Sequence, residues 1–469
     1  MQKQFTKNNL KPKPSLGVVT LALMNVAAIA SLRNLPVMAS CGLSLFFYYG
    51  LSIIIFFIPS ALISAELATM FSHKEGGVST WVTEALGPKW GFFTAWCMMA
   101  KGFAYFPAVI AFLAGTFAFL VNPHWAESRW YTMGVVVGIM WAGTLLNCRG
   151  VNLSNLISSL GCTVGTIFPG LVIVGLAVYW LLSGHPSVLR FDGSYLPSID
   201  SWSELAFLAG TFIAFSGIEL SATHVREVKN PQKNFPKAIL LCSVIVLGIS
   251  ILGSLAIALV IPKESLSLDA GIMQAFHTMF AHLGFSQMAK LMGVCVVFGA
   301  LATINIWIMN PVRSLYANSK EHGYLPAYFR KVNKAGVPQP LLAFQAAVVT
   351  VMTLVFFSLI PSVNSTFWLL TATSCNIYML GLLCMFASAM YLRFKRPQLA
   401  RPFKVPGGKL GMLFIGGAGF CSTLFVFFIG FVPPASLDMG PWALYLNIGS
   451  TGLIAGSALL YVKLKKPAA

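Results

Sequence analysis

A carboxylate lies in the middle of an apolar stretch of this sequence. Glu219 follows the pair Ser216-Gly217 within residues 203–229, a segment long enough to cross a bilayer. A charge at the centre of a bilayer costs about 2.5–3.5 kcal/mol on the insertion scale, so an ionisable residue there indicates a function. The Ser-Gly pair beside it predicts a helix that breaks at membrane depth, where freed backbone groups can bind a small polar solute.

Three other ionisable residues, Arg33, Glu66 and Lys101, also lie within apolar segments. Arg33 could attract an acidic group of a substrate, or pair with Glu219 or Glu66. Lys101 could supply a titrating positive charge, or line a vestibule at the cytoplasmic end. Glu66 lies nearer a membrane end, which favours a structural ion pair over coupling or gating. For Glu219, substrate sensing, proton coupling and gating stand beside a purely structural hydrogen bond.

Twelve apolar segments of spanning length position these residues. The chain is 57% hydrophobic and only 9% charged, against about 25% charged residues in soluble domains, so we expect an all-α integral membrane protein. The short loops indicate one membrane domain over residues 1–469. The predicted segments are 15–40, 43–71, 89–121, 130–147, 152–183, 203–229, 237–261, 286–319, 341–361, 365–393, 409–432 and 443–463.

The positive charge of the chain is distributed unevenly between the two sides of the membrane. With a cytoplasmic N-terminal tail at residues 1–14, that side receives 25 of the 31 Lys and Arg residues. This asymmetry predicts that both termini are cytoplasmic and explains the net charge of +18 without a nucleic acid partner. The loop 394–409, rich in Pro and Lys, predicts a plain charged linker. The nine cysteines lack the spacing of metal or redox sites, so we expect no cofactor.

Segments one and six share an unusual feature, a polar interruption near mid-membrane. Segment one reads SLRNLP at 31–36, and segment six reads FSGIE at 215–219. Because the two segments are five apart, they predict a five-plus-five inverted repeat over 15–183 and 203–393, followed by two helices over 409–463. The alternative is a pair of kinked helices without a binding site.

Five stretches resemble the amino acid–polyamine–organocation superfamily, and within it the bacterial glutamate/γ-aminobutyrate antiporters. The stretch in segment six is specific to this group, and weaker similarity covers nearly the whole chain. The stretches are PSALISAELAT at 59–69, EGGV at 75–78, GPKWGF at 87–92, GIELSATHV at 217–225 and NKAGVP at 333–338.

This resemblance implies a LeuT-like fold of twelve transmembrane helices, with an inverted repeat in which helices one and six are unwound and amino acids bind between the unwound parts. Ile29-Ala30-Ser31 stands where the family usually has Gly-Ser-Gly, so carboxylate binding by these amides is less secure. An aromatic residue of helix eight packs on the substrate in relatives and corresponds to Trp307. Carried over by position, the substrate-binding residues are Ala27, Ala30, Ser31, Ile213, Phe215, Ser216, Gly217 and Trp307.

The resemblance further implies a secondary transporter of the inner (cytoplasmic) membrane. It would exchange glutamate or a similar amino acid for γ-aminobutyrate or a related amine by alternating access. Proton-coupled amino acid uptake is the alternative on the same fold. A channel is a remote alternative, because four intramembrane ionisable residues are too few for a continuous polar path. The chain carries no catalytic or metal motif typical of a membrane enzyme, and it leaves the coupling ion and the oligomeric state open.

Overall fold

The computed structural model describes residues 17–74, 76–149, 161, 163–189, 195–197, 204–219, 228–360, 362–434 and 440–464. Within these ranges the regular structure is helical, with no β-strand. The predicted tail at 1–14, most of 152–162 in segment five and residues 220–227 of segment six lie outside the described part.

Seventeen α-helices occur in the described residues. In chain order they are α1 (Val18–Ile29), α2 (Leu35–Ala39), α3 (Leu45–Ser52), α4 (Ile58–Met70), α5 (Val78–Leu86), α6 (Pro88–Ala100), α7 (Gly102–Val121), α8 (Arg129–Cys148), α9 (Phe168–Leu182), α10 (Phe207–Ala214), α11 (Pro231–Val260), α12 (Gly271–His282), α13 (Gln287–His322), α14 (Gln339–Leu359), α15 (Val363–Lys395), α16 (Gly408–Ile429) and α17 (Gly440–Leu464). Two π-helical turns, Ile53–Phe57 and Thr163–Ile167, precede α4 and α9.

Ten helical runs in the described residues are long and apolar enough to cross a membrane. The all-helical membrane architecture expected from composition is therefore confirmed. The two predicted segments without a counterpart among these ten are 15–40 and 203–229. Both are interrupted, so their helical pieces, such as the 12 residues of α1 and the 8 residues of α10, are too short to span alone.

The first interruption separates α1 from α2. Helix α1 ends at Ile29, and Ala30 and Ser31 adopt extended conformations with ψ values of 120° and 118°. A 3-10 turn over Leu32–Asn34 then leads into α2. Pro36 stands in the first turn of α2, where its missing N–H removes no helical hydrogen bond.

The second interruption follows α10. The helix ends at Ala214, and residues 215–217 form a turn. Gly217 has a φ of 113°, a conformation that residues with a Cβ atom rarely adopt. The glycine therefore allows the chain to change direction immediately before Glu219.

Two long helical runs form the centre of the molecule. In their most apolar stretches, 78% of the residues of the α6–α7 run and 89% of those of α15 are buried within the protein. In α8 and α16 only 33% and 39% of such residues are buried, which is typical of helices that face lipid. The candidate site is built around the central helices α7, α13 and α15.

The connection between α15 and α16 is more structured than the plain charged linker that its composition predicts. Arg401 is buried and donates hydrogen bonds to the carbonyl oxygens of Leu392 and Leu399, at 2.7 and 2.8 Å. Burial lowers the pKa of Arg401, and the carboxylate of Glu66 opposes that effect. The prediction was wrong because a buried arginine can fold a loop by binding its carbonyl groups.

Candidate functional site

Glu219 ties the interrupted segment six to the central helix α15. Its side chain is 1% exposed. One carboxylate oxygen accepts a hydrogen bond from the Tyr378 hydroxyl, and the other accepts one from the Gly217 N–H at 3.2 Å. The carboxylate therefore has a donor on each oxygen and holds the turn at Gly217 against α15.

Lys101 lies at the junction of α6 and α7 and is 1% exposed. Its ammonium nitrogen has no hydrogen-bond acceptor among the described residues. It lies 3.6 Å from the ring centre of Trp307, 4.0 Å from that of Tyr378 and 5.4 Å from that of Tyr105. Aromatic faces thus hold this cation by cation–π attraction, and in this structure Lys101 does not line a cytoplasmic vestibule.

Arg33 follows the first interruption and is 2% exposed. Its Nη1 donates to Thr371 Oγ1 at 3.4 Å, and its guanidinium carbon lies 5.1 Å from the ring centre of Tyr105. In the described part of the chain, Arg33 forms an ion pair with neither Glu219 nor Glu66. Neither of those two pairs therefore forms in this structure.

Glu66 lies in a separate network at the end of α4. One carboxylate oxygen accepts from Arg393 Nη2 at 2.9 Å and from the Val405 N–H at 2.7 Å, and the other lies 3.2 Å from Arg401 Nε. These contacts join α4 to the end of α15 and to the loop that follows it. The arrangement favours the structural alternative for Glu66.

The first interruption borders a small cavity. Ala30 and Ser31 line it together with the polar side chains of Thr166 and Thr303. The remaining lining residues are Leu32 of the 3-10 turn and residues of α7, the π-helical turn Thr163–Ile167 and α13, so the cavity lies between these elements. Ala27 belongs to α1 by its backbone, but its side chain falls outside the described part.

The residues of the second interruption face different neighbours. The Ser216 hydroxyl donates to the Ile213 carbonyl oxygen at 2.7 Å and so closes the end of α10. The Phe215 ring packs 5.5 Å from Tyr49 and 5.0 Å from Phe57, measured between ring centres. In this structure Phe215 therefore contributes to packing between helices.

Trp307 is the predicted aromatic residue that the structure brings closest to the charged cluster. It contacts the ammonium of Lys101, and its ring centre lies 5.6 Å from that of Tyr105. Tyr105, Thr371 and Tyr378 complete the surroundings of the buried charges, and sequence reasoning missed all three. No signal distinguished them, because tyrosine and threonine are common in apolar helices and only packing places them beside a charge.

The charged cluster can bind a polar ligand through hydrogen bonds and ion pairs. Arg33, Lys101 and Glu219 are buried together among aromatic rings, and no group of three or more His, Cys, Asp or Glu residues that could hold a metal ion occurs in the described ranges. Residues 16–454 of the chain match the family described as amino acid permease. The chain belongs to the amino acid permease family. The permease is thus a member of the amino acid–polyamine–organocation superfamily, which confirms the resemblance seen in the motifs.

Relatives of this permease are transporters. It is 36% identical over 427 residues, 91% of each chain, to an uncharacterized transporter of Legionella pneumophila. It is 29% identical over 422 residues to a glutamate/γ-aminobutyrate antiporter of Lactococcus lactis, covering 88% of the permease and 83% of the relative. It is 25% identical over 401 residues to a probable agmatine/putrescine antiporter of the same species, covering 85% and 84%.

Proposed function

We propose that this permease exchanges glutamate, or a similar amino acid, for γ-aminobutyrate or a related amine across the membrane. The observation that carries the proposal is the buried cluster of Arg33, Lys101 and Glu219 beside two interrupted helices. Buried charges in membrane segments are costly and are typical of substrate and ion pathways. Similarity over most of the chain to a glutamate/γ-aminobutyrate antiporter supports this choice of substrates.

The proposed binding site lies between the two interruptions. It comprises Ala27, Ala30 and Ser31 in segment one, Ile213, Phe215, Ser216 and Gly217 in segment six, and Trp307. Glu219, Arg33 and Lys101 take coupling or gating roles, and for Glu66 we favour a structural ion pair over coupling or gating. We place this site in a twelve-span fold with inverted repeats at 15–183 and 203–393, in the inner membrane, with both termini cytoplasmic.

The hydrogen bond from Tyr378 to Glu219 controls alternating access. The turn at Gly217 lets segment six move, and its movement relative to α15 requires the bond between Glu219 and Tyr378 to break. A substrate that changes the position of the turn would break or form this hydrogen bond. Binding and movement of segment six would then be coupled through one carboxylate.

A second candidate function, proton-coupled uptake, is favoured because Tyr378 contacts two buried ionisable groups, Glu219 and Lys101. Tyr378 binds Glu219 through its hydroxyl, and its ring centre lies 4.0 Å from the Lys101 ammonium. A proton gained or lost by Glu219 or Lys101 would change the charge of the cluster. The same site could then couple amino acid entry to a proton gradient.

Transport by purified protein in liposomes separates the two candidates. Vesicles preloaded with γ-aminobutyrate should take up labelled glutamate severalfold faster than empty vesicles when no pH gradient is present. Equal uptake into empty vesicles, driven by an inward proton gradient, would establish the second candidate in place of exchange. If no amino acid enters under either condition or competes for entry, both functions are wrong.

A further inference from the structure

We propose that Arg33, Lys101 and Trp307 form a subsite for a substrate carboxylate, namely the side-chain carboxylate that both exchanged substrates carry. This inference deepens the proposed exchange of an acidic amino acid for its decarboxylation product and rests on it. It assigns these three residues to substrate specificity.

The three side chains share an unusual property, since each has a buried donor atom without an acceptor. Arg33 Nε, Lys101 Nζ and Trp307 Nε1 have no hydrogen-bond partner among the described residues. Their side chains are all nearly fully buried. Buried donors are almost always paired in folded proteins because an unpaired one loses its bonds to water. A group of donors without an acceptor among the described residues favours an acceptor that a ligand supplies.

All three side chains lie near one aromatic ring. The Arg33 guanidinium carbon, the Lys101 ammonium and the Trp307 ring centre lie 5.1, 5.4 and 5.6 Å from the ring centre of Tyr105. A ligand of a few carbon atoms that reaches this ring is therefore within reach of all three side chains. Tyr105 provides the apolar surface against which the carbon chain of such a ligand can pack.

The aromatic faces around Lys101 are weak substitutes for a carboxylate. At 3.6 Å from Trp307 and 4.0 Å from Tyr378, the ammonium is attracted to the rings, but its N–H groups have no acceptor. A carboxylate would add charge-assisted hydrogen bonds, which are stronger than ordinary ones. The flexible lysine stem allows the ammonium to turn from the rings to an arriving anion.

Glu219 does not serve as this acceptor. Its two oxygens accept from the Tyr378 hydroxyl and from the Gly217 N–H, as described above. When all three are ionised, Arg33 and Lys101 carry two positive charges and Glu219 carries one negative charge, so the cluster has one positive charge in excess. One additional carboxylate makes the cluster neutral, and this favours an anionic group in a region of low dielectric constant.

The chemistry of the exchanged pair identifies which carboxylate enters. Decarboxylation of glutamate removes the α-carboxylate and leaves the amine, the carbon chain and the side-chain carboxylate in γ-aminobutyrate. The side-chain carboxylate is the one acidic group that both substrates carry, so it is the group that an anion subsite serving both would bind. A diamine lacks that group and would add positive charge to a cluster that already has an excess.

Competition on the wild-type protein tests the subsite without any substitution. In vesicles that take up labelled glutamate, γ-aminobutyrate and 5-aminovalerate should inhibit uptake at concentrations at least about tenfold lower than glutamine or putrescine, given the strength of hydrogen bonds to charged groups. Glutamine replaces the side-chain carboxylate by an amide of nearly the same shape. Inhibition by putrescine or glutamine as strong as that by γ-aminobutyrate would overturn the subsite.

A charge-removing variant then tests the assignment to Lys101. Methionine is apolar and similar in volume to lysine, and it removes the desolvation cost of a buried charge, so Lys101→Met should fold. We expect its preference for glutamate over glutamine to fall at least about tenfold relative to wild type. Lys290→Met, at an exposed lysine of α13, is the matched control and should keep the wild-type preference.

The outcomes separate the subsite from the proposed function. If Lys101→Met is folded and keeps the wild-type preference, the assignment to Lys101 is wrong while amino acid exchange stands. Arg33→Lys, which keeps the positive charge but loses Nε, gives a second measurement should Lys101→Met not insert, and an unchanged preference there counts equally against the subsite. If wild-type vesicles transport no amino acid, the proposed function itself fails.

Discussion

Tyr378 is the residue through which the buried carboxylate of Glu219 contacts the central helix α15. Tyr378→Phe removes the hydroxyl and leaves one carboxylate oxygen without its donor. Loss of a hydrogen bond to a charged group costs about 1.5–3 kcal/mol, so we expect the exchange rate to fall about tenfold or more, or its pH profile to move. Counterflow in proteoliposomes across a range of pH measures both effects.

The control for this substitution is Tyr131→Phe. The Tyr131 hydroxyl donates to the Ala114 carbonyl oxygen at 3.0 Å, away from the charged cluster. Both variants remove one hydroxyl from a tyrosine that binds within the protein. Equal transport by Tyr378→Phe, Tyr131→Phe and wild type at every pH would remove the Glu219–Tyr378 contact from the mechanism.

Asp269 gives the folded protein a pH-dependent stability outside the membrane-spanning segments. Burial raises its pKa from 3.8 to about 6, against the effect of a hydrogen bond from Ser267. The folded state therefore holds the proton more tightly than the unfolded chain. The resulting stability, on the order of 3 kcal/mol, is fully present below pH 3.8 and is lost as the pH rises through about 6.

Melting temperature in detergent, measured between pH 4 and pH 7.5, tests this linkage. Wild type should lose stability relative to Asp269→Asn as the pH rises, because asparagine does not titrate. Glu264→Gln, at an exposed position in the same loop, is the control and should follow wild type. Parallel melting curves for wild type and Asp269→Asn over the whole range would contradict the raised pKa.

At the scale of helices and loops, Glu66 joins α4 to the end of α15 and to the loop after it. Glu66→Gln leaves the buried Arg393 and Arg401 without a carboxylate partner. Breaking a buried ion pair from one side costs about 3–5 kcal/mol, so the variant should melt at a markedly lower temperature in detergent. Transport per folded molecule should change little, since this network lies apart from the interrupted helices.

Glu84→Gln is the matched control for this prediction. Glu84 pairs with Lys74, and the two side chains are 29% and 39% exposed. An exposed pair of this kind contributes about 0–1 kcal/mol, so its loss should barely move the melting temperature. If both variants melt alike, the α4 network does not hold the loop in place.

At the scale of the whole molecule, the distribution of basic residues predicts how the chain crosses the membrane. His124, in the exposed turn between α7 and α8, should face the outside, and Lys334, in the loop between α13 and α14, should face the cytoplasm. His124→Cys and Lys334→Cys are introduced singly into a background in which all nine native cysteines are replaced by alanine. A membrane-impermeant maleimide should label Cys at position 124 in intact cells and at position 334 only after permeabilisation. The reverse pattern would invert the proposed topology.

The sequence predicted the class of fold and the positions of the two interruptions. Ser216-Gly217 in one segment and Arg33-Asn34 in the other mark these points, because small or polar residues stand out in an apolar run. The direction in which each side chain points could not be predicted in the same way. Phe215, for example, packs on Tyr49 and Phe57 in this structure, a contact that no local pattern predicts because the rotation of a short helical piece depends on its neighbours.

The sequence by itself determined which charged residues lie in apolar segments despite the free energy that their insertion into the membrane costs. Hydrophobicity is a local and nearly additive property, so the spans and the buried charges can be read directly from the chain. Only the tertiary structure decided the partners of those charges. Tyr378 lies 159 residues from Glu219, and Arg393 lies 327 residues from Glu66. Contacts over such separations arise from the packing of helices, which no local pattern specifies.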